Sequence, residues 1–306
     1  MRVFVTGASG HIGSAVVPEL LAAGHQVVGL ARSDASAAGL HTAGVEVVRG
    51  DLDDLDCLRQ TAAASDGVIH LAFKHEAMRS GDFMGAVAAD LQALQAIGAG
   101  LADSGKPLVS TSGSLMLTLA GITGRPGTER DVLPGGPRVD AENAVIALGA
   151  RGVRSSVVRL PPLVHSTLDH HGFAPTLIAI ARARGMAGYV GDGSNRWPAV
   201  HTLDAARVYR LALESAPAGS RLHAVADGGV AFRDIAATIG RHLNVPVKSI
   251  ADDDVGEYFS FLSGFVGLDN PVSSELTRHV LNWEPTHPGL IQDLDEGHYF
   301  ATPATA

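Results

Sequence analysis

Apolar residues in the first half of the chain come in short, unbroken runs, each followed by a longer Ala-rich stretch. The first run, Val3 to Val5, stops at Thr6, and an apolar-rich segment from Ala15 to Ala23 closes at Gly24. Further runs lie at Gln26 to Ala31, Val45 to Arg49, Gly67 to Ala72, Pro107 to Thr111 and Val153 to Leu160. Continuous rather than alternating apolar runs are the pattern of strands buried on both faces. Between them, Ala35 to Ala43, Leu55 to Ala64, Phe83 to Leu101 and Val139 to Leu148 read as helices. The alternation predicts an α/β fold, a doubly wound parallel sheet with helices on both faces. In such a sheet the ligand lies beyond the carboxyl ends of the strands, where the strand order reverses.

After Leu160 the pattern changes. Pro161-Pro162 breaks the chain, and residues 165 to 200 are rich in His, Gly and Asp. Helices are expected at Pro175 to Arg184, Asp204 to Glu214, Phe232 to Leu243 and Asp253 to Phe265, with a shorter one at Val272 to Leu281. Gly185 to Pro198 reads as a loop, Arg221 to Ala226 as a strand returning to the sheet, and Thr302 to Ala306 as a frayed tail. The division predicted is a sheet domain over residues 1–164 and a smaller capping lobe over residues 165–306. A length of 306 residues accommodates both.

The composition narrows the partners. A net charge of −9, with no local basic run, argues against a nucleic-acid surface. No apolar stretch approaches the roughly 18 residues of a membrane span. The first strand stands where a secretory leader would, so a cytoplasmic setting is expected. The single cysteine, Cys57, allows neither an intramolecular disulfide nor a Cys-based metal cluster. His170-His171 are adjacent, no histidines recur at helical i, i+4 spacing, and no metal is expected.

Gly7, Gly10 and Gly13 follow the first strand with the spacing G-x-x-G-x-x-G. Strand, tight turn and helix in that order suit a dinucleotide, whose diphosphate sits on the unpaired N–H groups of the helix N-terminus. The second strand ends in Ala31-Arg32-Ser33 with no carboxylate at its tip. An Asp there would repel a 2′-phosphate, whereas Arg32 and Ser33 can donate to one. NADP(H) is therefore preferred over NAD(H), the alternative being that Asp34 takes the ribose. Asp51 and Leu52, just past the third strand, are placed to meet the adenine.

Thr6-Gly7-Ala8-Ser9-Gly10-His11-Ile12-Gly13, with Gly50-Asp51-Leu52 and Val68-Ile69-His70-Leu71-Ala72, resembles the extended short-chain dehydrogenases/reductases, and within them the NAD-dependent epimerase/dehydratase group. Val158 to Val164, Tyr189 to Gly193 and Val200 to Ala206 agree, so the likeness spans nearly the whole chain. It implies a Rossmann-type sheet with a C-terminal substrate lobe. It also implies cofactor contacts at Gly7, Ser9, Gly10, His11 and Ile12, at Arg32, Asp51 and Leu52, and at Leu71, Ala72 and Val164. The same likeness suggests that helices 83–101 and 139–148 pair across a homodimer.

The catalytic set departs from the family. Its Tyr-x-x-x-Lys pair moves a proton and holds the ribose, yet none of the four tyrosines here has Lys four residues on. Anchoring on Glu142 puts Pro134 at the tyrosine position and Arg138 at the lysine position. Arg138 could bind the ribose, but its high pKa makes it a poor acid. The other candidates for catalysis are Ser112, at the family's serine position, and Lys74 in Phe73-Lys74-His75. Phe73, Ser114, His165 and Trp197 are the candidate substrate contacts. The resulting expectation is an atypical NADP(H)-dependent oxidoreductase acting on a small carbonyl or alcohol. A dinucleotide-binding redox sensor or scaffold is the alternative, and a nucleotide-sugar epimerase or dehydratase the third reading.

Overall fold

The computed structural model describes residues 1–301, so the tail Thr302 to Ala306 lies outside the described residues. Strand β1 (Arg2–Thr6) turns into α1 (Gly13–Ala22), and the unit repeats as β2 (Gln26–Ala31), α2 (Asp34–Thr42), β3 (Glu46–Arg49), α3 (Leu55–Ala63) and β4 (Gly67–His70). Helices α4 (His75–Arg79) and α5 (Phe83–Leu101) lead to β5 (Pro107–Gly113), α6 (Leu115–Leu119), α7 (Val139–Ala147) and β6 (Arg154–Leu160). The second half contributes β7 (Leu163–His165), α8 (Phe173–Arg184), β8 (Ala187–Val190), β9 (Arg196–His201), α9 (Thr202–Ser215) and β10 (Ser220–His223). It closes with β11 (Asp227–Ala231), α10 (Phe232–Leu243), β12 (Val247–Ile250), α11 (Val255–Phe259), α12 (Glu275–Leu281) and α13 (Leu290–Asp295).

Seven strands make one parallel sheet in the order β10-β6-β5-β4-β1-β2-β3. The side chains of β1 show why the runs are unbroken. Val3 and Val5 enter the core beneath α1 and α9, while Phe4 enters the core beneath α3 and α5. All three are fully buried, because successive strand residues point to opposite faces and helices cover both. The chain moves outward from β1 through β2 to β3, then crosses back to β4 on the other side of β1. The reversal therefore lies between β1 and β4, and their carboxyl ends frame the crevice.

The lobe has its own apolar core, built from α8, α10, α11 and α13 around Trp197, Phe232 and Phe259. Its small sheets, β11-β9-β7 and β12-β8, were not expected. The glycines around Gly185 to Pro198 read as loop, but they bracket two strands. Strand β8 finds its partner only at β12, some sixty residues later, and no local pattern encodes that pairing. The helix expected at Asp253 to Phe265 breaks at Ser260, whose φ of 52° ends α11. The helix expected from Val272 starts at Glu275, since Val272 bridges to Gly127 instead. The returning strand is shorter than expected and ends at His223. No helix among the described residues is long and apolar enough to cross a membrane.

Candidate cofactor and active site

The glycine spacing is a steric requirement. A Cβ on Gly7, whose φ is +70°, would stand 2.7 Å from the Ala72 nitrogen, and one on Gly13 would stand 2.2 Å from the Gly7 carbonyl oxygen. The loop is thus pressed against the end of β4 on one side and folded onto itself on the other. This also explains why β4 stops at His70 rather than Ala72: Leu71 and Ala72 form the floor on which Gly7 rests. Helix α1 has no side-chain cap and no acid in its first turn, whereas Ser33, Asp54 and Asp82 cap α2, α3 and α5. An uncapped helix start beneath a glycine-lined turn fits a diphosphate. Ser9 and Gly10 are exposed on this loop and Ile12 is half-buried. The His11 side chain turns away to hydrogen-bond Thr202 Oγ1 at 2.9 Å, near the Asp169 carboxylate.

At the adenosine end, Arg32 and Ser33 are exposed beyond β2. Asp51 caps the Asp53 amide at 2.8 Å, and Leu52 is buried in the sheet's core. Sequence reading missed Arg49, which reaches across from β3 to the carbonyl of Ser33. Lys74, expected to serve catalysis, instead pairs with both carboxylate oxygens of Asp53 at 2.6 Å, which turns it toward the adenosine side. Asp53 lies twenty-one residues away in sequence, so linear proximity to the crevice could not reveal this direction.

The opposite end of the crevice holds a buried polar chain. The Ala72 amide donates to Thr6 Oγ1 (3.3 Å), which lies 2.9 Å from His70 Nδ1; His70 Nε2 lies 3.1 Å from Asp90 Oδ1. Asp90 Oδ2 accepts from Arg138 Nη1 at 3.1 Å. The carboxylate fixes the imidazole proton on Nε2, so Nδ1 accepts from the threonine hydroxyl. His70 and Asp90 are 1 % and 2 % exposed, so the Arg138 charge is what makes a buried Asp90 carboxylate tolerable. Arg138 also donates to the Thr111 carbonyl at 3.2 Å and lies over the Phe73 ring at 4.2 Å. These contacts hold it at φ 66°, a left-handed conformation that a non-glycine residue adopts only when its surroundings enforce it.

The remaining candidates are interior. Pro134-Gly135-Gly136-Pro137 is loop, and α7 begins only at Val139, so the position of the family tyrosine is not helical. Ser112 is buried beside the Glu142 carboxylate. Burial pushes that carboxyl up, but Arg159 and Arg221 outweigh it and leave it below the usual range. Ser114 is fully buried, 3.4 Å from the Asn270 side-chain nitrogen. Trp197 is fully buried with Phe173 and Phe232 against its ring, and it packs the lobe rather than lining an open wall. Tyr209, the tyrosine nearest β5, is fully buried on Thr111 Oγ1, and burial pushes its hydroxyl far above its ordinary pKa. Near strand ends such residues look like rim residues in a sequence; Asn270 and the lobe's aromatic rings enclose Ser114 and Trp197, and the sheet's own core encloses Tyr209.

Val164 stays half-buried at the crevice, while His165 is fully buried with Nδ1 on Asp293 Oδ2 at 2.8 Å. His201 meets the His165 ring edge-on and stacks on His287. Burial, aided by His165 and His287, pushes the His201 pKa down to about 4, although Asp293 and Asp204 oppose the shift. The unfolded chain then binds a proton that the folded chain refuses. Stability is full above about pH 6.5 and declines as pH falls toward 4, by up to about 3 kcal/mol from this residue. Urea denaturation across pH 4–7 should show the slope, and His201→Asn should flatten it. Among the described residues no group of three or more His, Cys, Asp or Glu could hold a metal ion.

Fold and site together fit a dinucleotide-binding α/β protein, the candidate crevice lying at the β1–β4 reversal. A family model described as the NAD dependent epimerase/dehydratase family matches residues 3–97. An uncharacterized protein of Schizosaccharomyces pombe is 45% identical over 302 residues, spanning 98% of this chain and 100% of its own length. A 2-alkyl-3-oxoalkanoate reductase of Stenotrophomonas maltophilia is 30% identical over 227 residues, 72% of this chain and 67% of its own. Among solved structures, DesIV of Streptomyces venezuelae, a dTDP-glucose 4,6-dehydratase with NAD and TYD bound, superposes with a TM-score of 0.75 at 20% identity over 96% of each chain. The chain belongs to the NAD-dependent epimerase/dehydratase family.

Proposed function

We propose that this protein is an NADP(H)-dependent oxidoreductase that reduces a small ketone or aldehyde, or runs the reverse oxidation. The observation that carries the reading is the glycine-lined diphosphate cradle at the uncapped start of α1, with Arg138 fixed at the other end of the same crevice. The absence of a carboxylate at the tip of β2, where Arg32 and Ser33 stand, supports NADP(H) over NAD(H). Bound NADPH would supply hydride to the carbonyl carbon.

The residues of the chain hold the rest. Ser9, Gly10 and Ile12 bind the diphosphate, and Leu71, Ala72 and Val164 face the nicotinamide. Arg138 donates a hydrogen bond to the substrate oxygen as negative charge develops there, and its proton comes from water. Because Asp90 neutralises it, Arg138 acts as a fixed donor rather than as a free cation, which suits an uncharged carbonyl. The keto acid named for the Stenotrophomonas relative is in keeping with a ketone substrate. A homodimer would use α5 and α7, which pack side by side on one face of the sheet.

Purified protein given NADPH and a carbonyl panel should consume the nicotinamide absorbance. Arg138→Met should lower turnover by roughly 100-fold, the cost of removing one oxyanion donor, while NADPH still binds within about threefold. Tight NADPH binding without turnover on any carbonyl would overturn the reading. It would favour a redox sensor, which the enclosure of Ser112, Ser114 and Tyr209 also suits. That alternative requires NADP+ and NADPH to bind with different affinities.

A further inference from the structure

The adenosine end carries a second arginine that the proposed function leaves unused. Strands β2 and β3 pair in parallel with Ala31 opposite Arg49, so the last residue of β3 stands beside the turn leading into α2. The Arg49 guanidinium donates to the Ser33 carbonyl, approaches the Arg32 carbonyl at 3.4 Å and pairs with Asp34 at 2.9 Å. Arg32, anchored on the same turn, pairs with Glu76 at 3.1 Å. Ser33 and Ser36 place two hydroxyls there, 3.0 Å apart. One turn thus gathers two guanidinium groups and two hydroxyls.

Both acids on these arginines are loosely held. Asp34 is fully exposed and the Arg32–Glu76 pair about two-thirds exposed on each side. Exposed pairs of this kind contribute little, because water and salt screen them. A phosphate dianion offers two guanidinium forks a stronger, bidentate partner and can displace both carboxylates. We propose that Arg49 is the second arm of a 2′-phosphate seat, opposite Arg32, and that the Glu76 and Asp34 carboxylates fill the seat until NADP(H) displaces them. The inference rests on the NADP(H) reading above and extends it to the residues that set cofactor choice.

Calorimetric titration of the full chain with NADP+, NAD+, 2′-phospho-AMP and AMP separates the two ideas. Wild type should favour NADP+ over NAD+, and 2′-phospho-AMP over AMP. Arg49→Gln should weaken NADP+ and 2′-phospho-AMP about tenfold, roughly 1.4 kcal/mol, and leave NAD+ and AMP within about twofold. Arg49→Lys should fall between, keeping the charge and losing the fork. Glu76→Gln should tighten NADP+ about two- to threefold without changing NAD+. Equal weakening of NADP+ and NAD+ by Arg49→Gln would reduce Arg49 to a prop for the turn and overturn the seat. No change in either would do the same. A wild-type preference for NAD+ would instead remove the NADP(H) reading itself, before any variant is made.

Discussion

Gly13→Ala is expected to give a protein that no longer retains either nicotinamide dinucleotide. The added methyl would lie 2.2 Å from the Gly7 carbonyl oxygen and 2.6 Å from the Ala8 carbonyl carbon and oxygen. Those are backbone atoms, which cannot swing aside as the end of a flexible side chain can. The loop must therefore open, and Gly7 is already pinned against Ala72. Losing the geometry of the cradle should cost about 3 kcal/mol of binding, roughly 100-fold in Kd. The fold should lose a comparable amount, at the upper end for single substitutions. Gly39→Ala, on α2, is the control, since its methyl would meet nothing within 4 Å. Titration with NADP+ and NAD+, beside a thermal melt, checks both. Binding by Gly13→Ala within about threefold of wild type would sink the cradle.

Glu142→Gln should be the most destabilising of the conservative changes in the sheet domain. The Glu142 carboxylate takes Arg159 through Nε at 3.1 Å and Nη2 at 2.5 Å, and Arg221 through Nε at 2.8 Å. Arg159 is fully buried, and its other contacts are the Asp131 carbonyl and a ring nitrogen of His223. Neutralising the acid leaves that guanidinium without its counter-charge in the interior, a loss of about 3–5 kcal/mol. The double variant Glu142→Leu with Arg159→Met removes both charges together and should recover much of the loss. Urea unfolding of the three proteins gives the comparison. A cost below about 1 kcal/mol for Glu142→Gln would show that the pair contributes little. The cluster matters to the site because β6 leads through Pro161-Pro162 to Val164 at the crevice.

Much of this was legible because the physics was local. The unbroken apolar runs announced strands covered on both sides, and the glycine triplet announced a turn too tight for side chains. The exposed arginine after β2 needed no partner to be noticed. The lobe was less legible. Strand β8 depends on a partner far along the chain, and Ser260 interrupts a helix that its neighbours would have continued.

The candidate site divides in the same way. The proposed cofactor end is a property of one strand–turn–helix unit, and sequence spacing points to it. The far end is assembled from β1, β4, α5 and the residue before α7, which meet only after folding: Thr6, His70, Asp90 and Arg138. A histidine in a strand and an aspartate in an Ala-rich helix carry no mark of partnership.

By itself the sequence determined the parallel sheet, the glycine turn at its head and the lack of a Tyr-x-x-x-Lys pair, since each follows from residue type and spacing along one short stretch. The tertiary structure alone decided which polar groups face the crevice. It turned Lys74 to Asp53, enclosed Ser114, His165 and Trp197, and fixed Arg138 between Asp90 and Phe73. A side chain's direction is set by whatever charge or ring lies within reach, and those neighbours come from distant parts of the chain.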